Sequence, residues 1–155
     1  MTDITARHRS DQSIVQRFKD MGDSTWAAVI ALGGNGYPSQ STPVHAASGS
    51  VAASATTATL PGAAGKTTYI TGFEVTGAGA TAASVIAITV TGLLGGTETY
   101  IMAIPAGAAV GATPLSVQFA VPVPASAVNT SVVVNVPSFG AGNTNAAVVA
   151  HGFQL

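Results

Sequence analysis

The charged side chains of this chain are confined almost entirely to the segment that ends at Asp23. Beyond that point the sequence carries only Lys66, Glu74 and Glu98. A soluble domain ordinarily has about a quarter of its residues charged, so the rest of the chain lacks the groups that usually solvate a protein surface. Hydroxyl and amide groups can replace part of that solvation, and burial against partner subunits removes the need for it. The asymmetry therefore predicts a rigid, nearly uncharged body that is built into a larger assembly.

The overall composition excludes several classes of function. A formal net charge of −1 gives no long-range attraction to nucleic acid or to an anionic membrane. Without cysteine there is no disulfide, thiolate metal site or cysteine nucleophile. The apolar runs, such as residues 26 to 32, are far shorter than the ~18 residues of a membrane helix. Charges stand where a signal peptide has its apolar region, so we expect synthesis in the cytoplasm.

Composition divides the chain into three zones. Residues 1 to 32 hold most of the charges and the only tryptophan, and we interpret them as an N-terminal arm. Residues 33 to 50 are rich in Gly, Pro and Ser, a composition typical of a linker. Residues 51 to 155 form a body in which apolar residues alternate with small or polar ones, the period of β-strands.

The arm admits two secondary structures. One is a helix that begins near Ser10 and places apolar residues at i, i+4 and i+7. The other is a hairpin in which residues 14 to 19 and 25 to 32 flank a turn, with Gly22 supplying a positive φ. The second limb of that hairpin alternates cleanly between apolar and other residues, which favours the hairpin.

The body is predicted to be all-β. Its clearest strand covers residues 115 to 121, with Leu115, Val117, Phe119 and Val121 on one face. Similar segments cover residues 51–60, 69–76, 84–91, 97–104, 131–136 and 146–153. Residues 85 to 104 predict a hairpin that turns through Gly95 and Gly96. No segment is suited to a crossover helix, so the sheets must be antiparallel, and the fold class is an antiparallel β-sandwich, specifically a jelly roll.

The ionisable residues of the sequence do not form a recognisable catalytic or metal-binding pattern. His8, His45 and His151 are far apart and lack the HxH or HExxH spacing that presets metal ligands. Glu74 and Glu98 are the only acids of the body. A glycosidase needs such a pair, but the aromatic and polar groups that surround it in those enzymes are missing here. We interpret both as surface or interface carboxylates.

Two further patterns have ordinary structural explanations. Asp20 and Asp23 supply part of an oxygen-rich cation loop without its remaining acidic positions, and fit a hairpin turn instead. The glycine clusters at residues 33 to 36 and 77 to 79 lack the strand and helix that flank a phosphate-binding loop. We therefore expect that the protein is not an enzyme and holds neither cofactor nor metal.

The arm supplies the residues that we predict to contact a partner. Arginine forms bidentate pairs with carboxylates at interfaces, and tryptophan is a frequent interface anchor. The candidates are Arg7, Arg9, Arg17, Lys19 and Trp26. The alternative is a solvated arm whose tryptophan packs against the body.

Several stretches of the chain resemble small structural proteins of tailed bacteriophages. In the body these are TATLPGAAGKTTYITGFEVTGAGATAASV, TVTGLLGGTETYIMAIPAGAAVGATPLSVQF and SFGAGNTNAAVVAHGFQL, so that the likeness covers residues 57 to 155. In the arm, FKDMGDSTWAAVIAL looks like the hairpin of form D-x-G-D-x-[ST]-[WY]-A-x-V that is common in phage virion proteins.

The resemblance implies a jelly-roll protein that decorates, or cements, the outer surface of a phage capsid. Its partners would be the major capsid protein and further copies of itself, as a homodimer or homotrimer, and not nucleic acid or a membrane. Its location would be the outer capsid surface of the virion. The alternative that the resemblance implies is a head or tail fibre that binds a host receptor. Such fibre tips often expose aromatic side chains in loops, for which Tyr37 and Phe139 are the candidates.

Overall fold

The part of the chain that the structure describes forms ten β-strands. The structure is a computed structural model, and it describes residues 18–20, 26–28 and 37–155. The strands are β1 (Phe18–Asp20), β2 (Trp26–Ala28), β3 (Thr42–Ala47), β4 (Thr56–Leu60), β5 (Thr68–Gly77), β6 (Ser84–Leu93), β7 (Gly96–Ile104), β8 (Leu115–Pro124), β9 (Val132–Val136) and β10 (Ala146–Gln154). The described residues contain no helix, and so none long and apolar enough to cross a membrane. The predicted all-β class is confirmed.

The chain divides into two units, Met1–Ser41 and Thr42–Leu155. In the first unit β1 and β2 pair antiparallel, with Asp20 opposite Trp26. This pairing is expected of the hairpin and not of a helix. The other residues of the predicted arm, residues 1 to 32, lie outside the described part of the chain, so the arm itself remains a prediction.

The second unit contains two antiparallel sheets of four strands each. Sheet I has the strand order β3-β10-β5-β8, and sheet II has the order β4-β9-β6-β7. Buried and more exposed side chains alternate along the strands, as in β9, where Val132, Val134 and Val136 are buried and the residues between them are not. The buried apolar side chains of both sheets, except Phe153, belong to a single hydrophobic core. This arrangement is that of a β-sandwich, as the sequence predicts.

The strand pairing is nested around the β6–β7 hairpin. β6 pairs with β7, β5 with β8, β4 with β9 and β3 with β10, all antiparallel. The chain therefore runs out along one member of each pair and returns along the other, as in one long hairpin. Two further pairings, β10 with β5 and β9 with β6, join these ribbons into the two sheets.

The core consists mainly of branched aliphatic side chains, with a few aromatic rings. Its largest fully buried side chains are Leu60, Ile70, Phe73, Val75, Ile88, Val90, Ile104, Val132, Val134, Val136, Phe139 and Val148. Phe73 of sheet I meets Tyr100 of sheet II edge to face, with 5.2 Å between the ring centroids. Such aromatic pairs contribute about 0.5–1.5 kcal/mol beyond the burial of their area. This pair is one of the contacts that join the two sheets across the core.

Part of the predicted linker is a strand. Thr42–Ala47 forms β3, which pairs with β10 along its whole length, so the sandwich begins at Thr42 and not at residue 51. The strand lies at the edge of sheet I, where a proline such as Pro43 is tolerated. Half-buried Val44 and Ala46 do alternate with exposed neighbours. The prediction that residues 33 to 50 are a linker is therefore wrong for Thr42–Ala47, because an edge strand tolerates the proline and small residues that are also typical of linkers.

Two predicted boundaries also shift. Of residues 51 to 60, only Thr56–Leu60 forms a strand. The β6–β7 hairpin turns at Leu94 and Gly95, one residue before the predicted Gly95–Gly96 turn, because Leu93 pairs with Gly96. The predicted strands of the body are therefore present, but local composition alone does not give the exact residues at which they begin and end.

A bulge of four residues interrupts the alternation of β8. Residues 119 to 122 lie opposite the single residue Thr71 of β5, between the pairs Gly72–Gln118 and Ile70–Val123. The bulge turns Val121 outward, where it is 77% exposed, although strict alternation predicts it on the face of Val117. A bulge bends the strand and redirects its side chains, which a period-two pattern cannot anticipate.

Candidate functional site

The residues predicted to contact a partner lie mostly outside the described part of the chain. Lys19 is in β1 and Trp26 in β2, so both belong to the paired strands of the first unit. Arg7, Arg9 and Arg17 are outside the described residues. Their contacts with a partner remain predictions.

All three charged residues of the body are hydrogen-bonded to hydroxyl groups, Glu98 to that of Tyr100. Lys66 Nζ donates to Thr42 Oγ1 over 2.8 Å, and Ser116 Oγ donates to Glu74 Oε1 over 3.3 Å. Glu74 is exposed on the outer face of sheet I. Glu98 is on sheet II, at a position of β7 whose side chain points inward. The two carboxylates are therefore not brought together as the catalytic pair of a glycosidase would be.

Glu98 accepts a hydrogen bond from a tyrosine that packs into the core. The ring of Tyr100 contacts Phe73, and its hydroxyl donates to Glu98 Oε2 over 2.6 Å. Three effects raise the pKa of Tyr100 to about 12. Burial of the hydroxyl is the largest, and the hydrogen bond to Glu98 and the negative charge of Glu98 add to it. The one acid of sheet II thus supports the packing of Tyr100 and is turned away from the outer face of the sheet.

Two histidines that are distant in sequence are neighbours in sheet I. His45 of β3 and His151 of β10 lie directly opposite each other, and both are exposed. His8 is outside the described residues. Among the residues that the structure describes, no group of three or more His, Cys, Asp or Glu side chains could hold a metal ion.

The outer face of sheet II has no ionisable side chain, and we call it the uncharged face. Its members are the outward-pointing residues of the four strands, which alternate with the buried ones. They are Thr57, Thr59, Val85, Ala87, Thr89, Thr91, Thr97, Thr99, Ile101, Ala103, Val133 and Asn135. Register places Thr57, Asn135, Thr89 and Thr99 in one row across all four strands. A sandwich surface that faces only water would ordinarily be mixed with charges.

The uncharged face is most apolar near the β6–β7 edge. Val85 is 67% exposed and Ile101 is 66% exposed. Because Ala87 lies opposite Ile101 and Val85 opposite Ala103, these four side chains form one patch on neighbouring strands. Contiguous exposed apolar residues on a soluble domain mark surfaces that contact other molecules.

A groove of 540 Å³ continues from this patch. It is lined by Ala83, Ser84, Val85, Ala103, Ile104, Pro105, Gly111 and Thr113, none of which ionises. Two of these residues, Val85 and Ala103, also belong to the uncharged face. The face and the groove together can exclude water from an apolar contact, and they offer hydroxyl groups at its margin. This chemistry suits binding to another protein surface.

Sequence reasoning identified the lack of charge but not its location. The members of the uncharged face come from four strands spread over the chain, and only the pairing of those strands brings them together. The available signal was the small and hydroxyl-bearing character of the residues between the apolar positions of each strand. No pattern in the sequence indicated that one sheet would hold all of the outward ionisable groups of the two sheets.

One of the two loop aromatics proposed for receptor binding is not exposed. Phe139 follows β9 and is fully buried in the core. Its ring lies so close to Gly77 that a Cβ atom there would come within 2.8 Å of it. Tyr37 is half-buried. The prediction that Phe139 is an exposed loop aromatic is therefore wrong, because the loop folds back over the end of the sandwich.

Comparison of the chain with protein-family models, with curated proteins and with solved structures gave no match. The resemblance to phage virion proteins therefore depends on the quoted stretches of sequence. What it implies about function is developed below as a proposal.

Proposed function

We propose that the protein is a structural virion protein that decorates and stabilises the outer surface of a bacteriophage capsid. The observation that carries this proposal is the uncharged face. Specific interfaces between proteins bury ~1,200–2,000 Å² or more, and their centres are depleted in charged residues. A sheet face of four strands without an ionisable side chain, continued by an apolar groove, has the chemistry of such a centre.

We infer further that the sandwich is a jelly roll. Eight strands in two antiparallel sheets are typical of that fold, which combines two Greek keys. The nested pairing around β6 and β7 supports this inference, because it describes one long hairpin rolled up on itself. Jelly rolls are common in viral capsids but also occur in lectins and cupins, so the fold supports the proposed role by analogy.

The proposed role requires contact area and not catalysis. A capsid under pressure from packaged DNA gains strength from proteins that bridge its neighbouring subunits. In this proposal the uncharged face and its groove contact the major capsid protein or a further copy of the chain in a homodimer or homotrimer. The arm adds charged contacts to the capsid through Arg7, Arg9, Arg17, Lys19 and Trp26.

The first test compares two variants, each of which carries one added positive charge on the outer face of one sheet. Ala87→Lys places it on the uncharged face, and Thr76→Lys places it at an exposed position on the outer face of sheet I. Binding of each full-length variant to DNA-filled heads of the encoding phage, prepared without this protein, is measured by saturation. We expect Ala87→Lys to weaken binding at least about tenfold, because the interface would bury an unpaired charge, and Thr76→Lys to bind like the wild type. Equal affinities of Ala87→Lys and the wild type would contradict the proposed contact.

The arm is tested separately in the full chain. Replacing Arg7, Arg9, Arg17 and Lys19 together by alanine should reduce the affinity for heads and its dependence on salt concentration. Unchanged affinity and an unchanged salt dependence would exclude the charged arm from the contact and leave the uncharged face as the binding surface.

The number of copies in a virion distinguishes decoration from the fibre alternative. Quantitative mass spectrometry of purified particles should find the protein in large numbers, in proportion to the major capsid protein. A few copies for each particle, together with saturable binding of the purified protein to host cells, would contradict decoration and favour a fibre.

A further inference from the structure

We propose that His45 and His151 form a two-imidazole binding site for a divalent late transition metal ion of the class of Cu²⁺, Ni²⁺ and Zn²⁺. The site lies on the outer face of sheet I and is independent of the proposed role of sheet II. It arises from the pairing of β3 with β10, which places one histidine opposite the other.

The register gives the two side chains the closer of the two spacings found in antiparallel sheets. Ser48 N donates to the carbonyl of Val148 over 3.0 Å, so this pair is a hydrogen-bonded one. Hydrogen-bonded and non-hydrogen-bonded pairs alternate along an antiparallel ladder. Three residues further along, His45 and His151 therefore occupy a non-hydrogen-bonded pair, in which the Cα atoms are about 4.5 Å apart and the side chains are closest.

Both imidazoles are available to a ligand. Each residue is exposed, and its neighbours along the strand, Val44, Ala46 and Ala150, point toward the core instead. Neither imidazole makes a hydrogen bond to another of the described residues. The nearest carboxylate on this face, Glu74, lies opposite Val149 and accepts a hydrogen bond from Ser116 on the far side of β5.

This arrangement matches what a late transition metal prefers. Imidazole nitrogen is a common ligand of Cu²⁺, Ni²⁺ and Zn²⁺, at about 2.0–2.1 Å for zinc. Once one imidazole binds the ion, the second binds within the same molecule at a high effective concentration. No third His, Cys, Asp or Glu joins the pair among the described residues, so the remaining coordination positions are left to water or to an external ligand.

A bound ion would also link the edge strand β3 to β10 and so stabilise the edge of sheet I. β3 is an edge strand that pairs only with β10, and one ligand would come from each of these strands. An ion that binds the folded state in preference to the unfolded chain raises stability. The site is therefore expected to raise Tm in the presence of the metal and to slow hydrogen exchange in β3.

The test uses Cu²⁺, which binds nitrogen ligands most strongly of these ions. The reference is the full chain with His8→Ala, so that only the proposed pair remains. Calorimetric titration should show one ion for each chain, and electron paramagnetic resonance should show two imidazole nitrogens on it. His45→Ala and His151→Ala should each weaken binding at least about tenfold, because the second ligand is lost. In either variant the Cu²⁺-dependent rise in Tm should disappear, while Tm without metal stays close to that of the reference.

A matched control relocates the histidine pair to the next outward position of each strand, two residues away on the same face. Ala47 and Val149 are also directly opposite each other at a non-hydrogen-bonded position. In the chain that lacks all three natural histidines and carries Glu74→Gln, so that the carboxylate opposite residue 149 cannot bind the ion, Ala47→His together with Val149→His should restore tight binding and the two-nitrogen spectrum. The proposal is overturned if either single variant, His45→Ala or His151→Ala, binds Cu²⁺ as tightly as the reference. It is equally overturned if the relocated pair binds no better than the histidine-free chain.

Discussion

The two sheets of the sandwich share one core but present different outer faces. Sheet I carries His45, His151 and Glu74 outward, whereas the outward side chains of sheet II include none that ionises. Its one acid, Glu98, points inward and is held by Tyr100. Folding requires apolar residues only on the inner face of each sheet. The composition of each outer face is therefore not fixed by folding, and the two outer faces differ in their ionisable groups.

The largest expected effect separates the requirements of folding from those of the uncharged face. Ile88 of β6 is fully buried, and its neighbour Ala87 is exposed on the uncharged face. Ile88→Lys should lower the free energy of unfolding by more than about 3 kcal/mol, because it buries an unpaired charge. Ala87→Lys should change it by less than about 0.5 kcal/mol. Chemical denaturation of both variants checks this, and a large loss in Ala87→Lys would mean that the uncharged face serves folding.

The burial of Tyr100, together with its hydrogen bond to Glu98, predicts that the stability of the protein depends on pH. In the folded protein the pKa of Tyr100 is raised from 10.0 to about 12, so the unfolded chain loses this proton first as pH rises. The stabilisation from Tyr100 is therefore complete below pH 10 and is lost as pH rises from 10 toward 12. Tyr100→Phe should show a shallower decline of unfolding free energy across this window than the wild type. Glu98→Gln, which removes the negative charge, should give an intermediate slope; parallel curves for all three proteins would contradict the account.

The smallest effect is expected for the exposed carboxylate of sheet I. Ser116→Ala removes the hydroxyl that donates to Glu74, and both residues are in contact with water. Exposed polar contacts of this kind contribute little, so the free energy of unfolding should change by less than about 0.5 kcal/mol. A larger loss in urea denaturation would show that the outward polar groups of sheet I are structural and would weaken the contrast between the faces.

The alternation of side chains made most of the strands predictable. Burial on one face alone imposes a period of two, which is visible in the sequences of β5 to β7, β9 and β10. The edge strand β3 was missed because an edge tolerates Pro43 and buries Val44 and Ala46 only in part. The outward position of Val121 could not be predicted either, since it results from a bulge and not from the pattern.

The candidate sites depend on which strands pair. That pairing could not be predicted from the sequence alone. His45 and His151 are neighbours only because the first and last strands of the sandwich lie side by side. The burial of Phe139 depends on a loop that folds over the core, where a single aromatic residue among Gly, Asn and Ser has no periodicity to reveal it. The deficit of charge was evident from composition, but its concentration on sheet II required the register of four strands.

In the proposed function the uncharged face is the surface that a partner covers in the assembly. The chain has no cysteine, so a single introduced thiol reports on one position. Thr99→Cys probes the uncharged face and Thr76→Cys probes the outer face of sheet I, and both positions are exposed. Maleimide labelling rates are compared for each variant free in solution and bound to DNA-filled heads. We expect binding to slow the labelling of Thr99→Cys and to leave that of Thr76→Cys unchanged. Equal labelling of Thr99→Cys in both states, or protection of Thr76→Cys instead, would contradict the proposed role of the uncharged face.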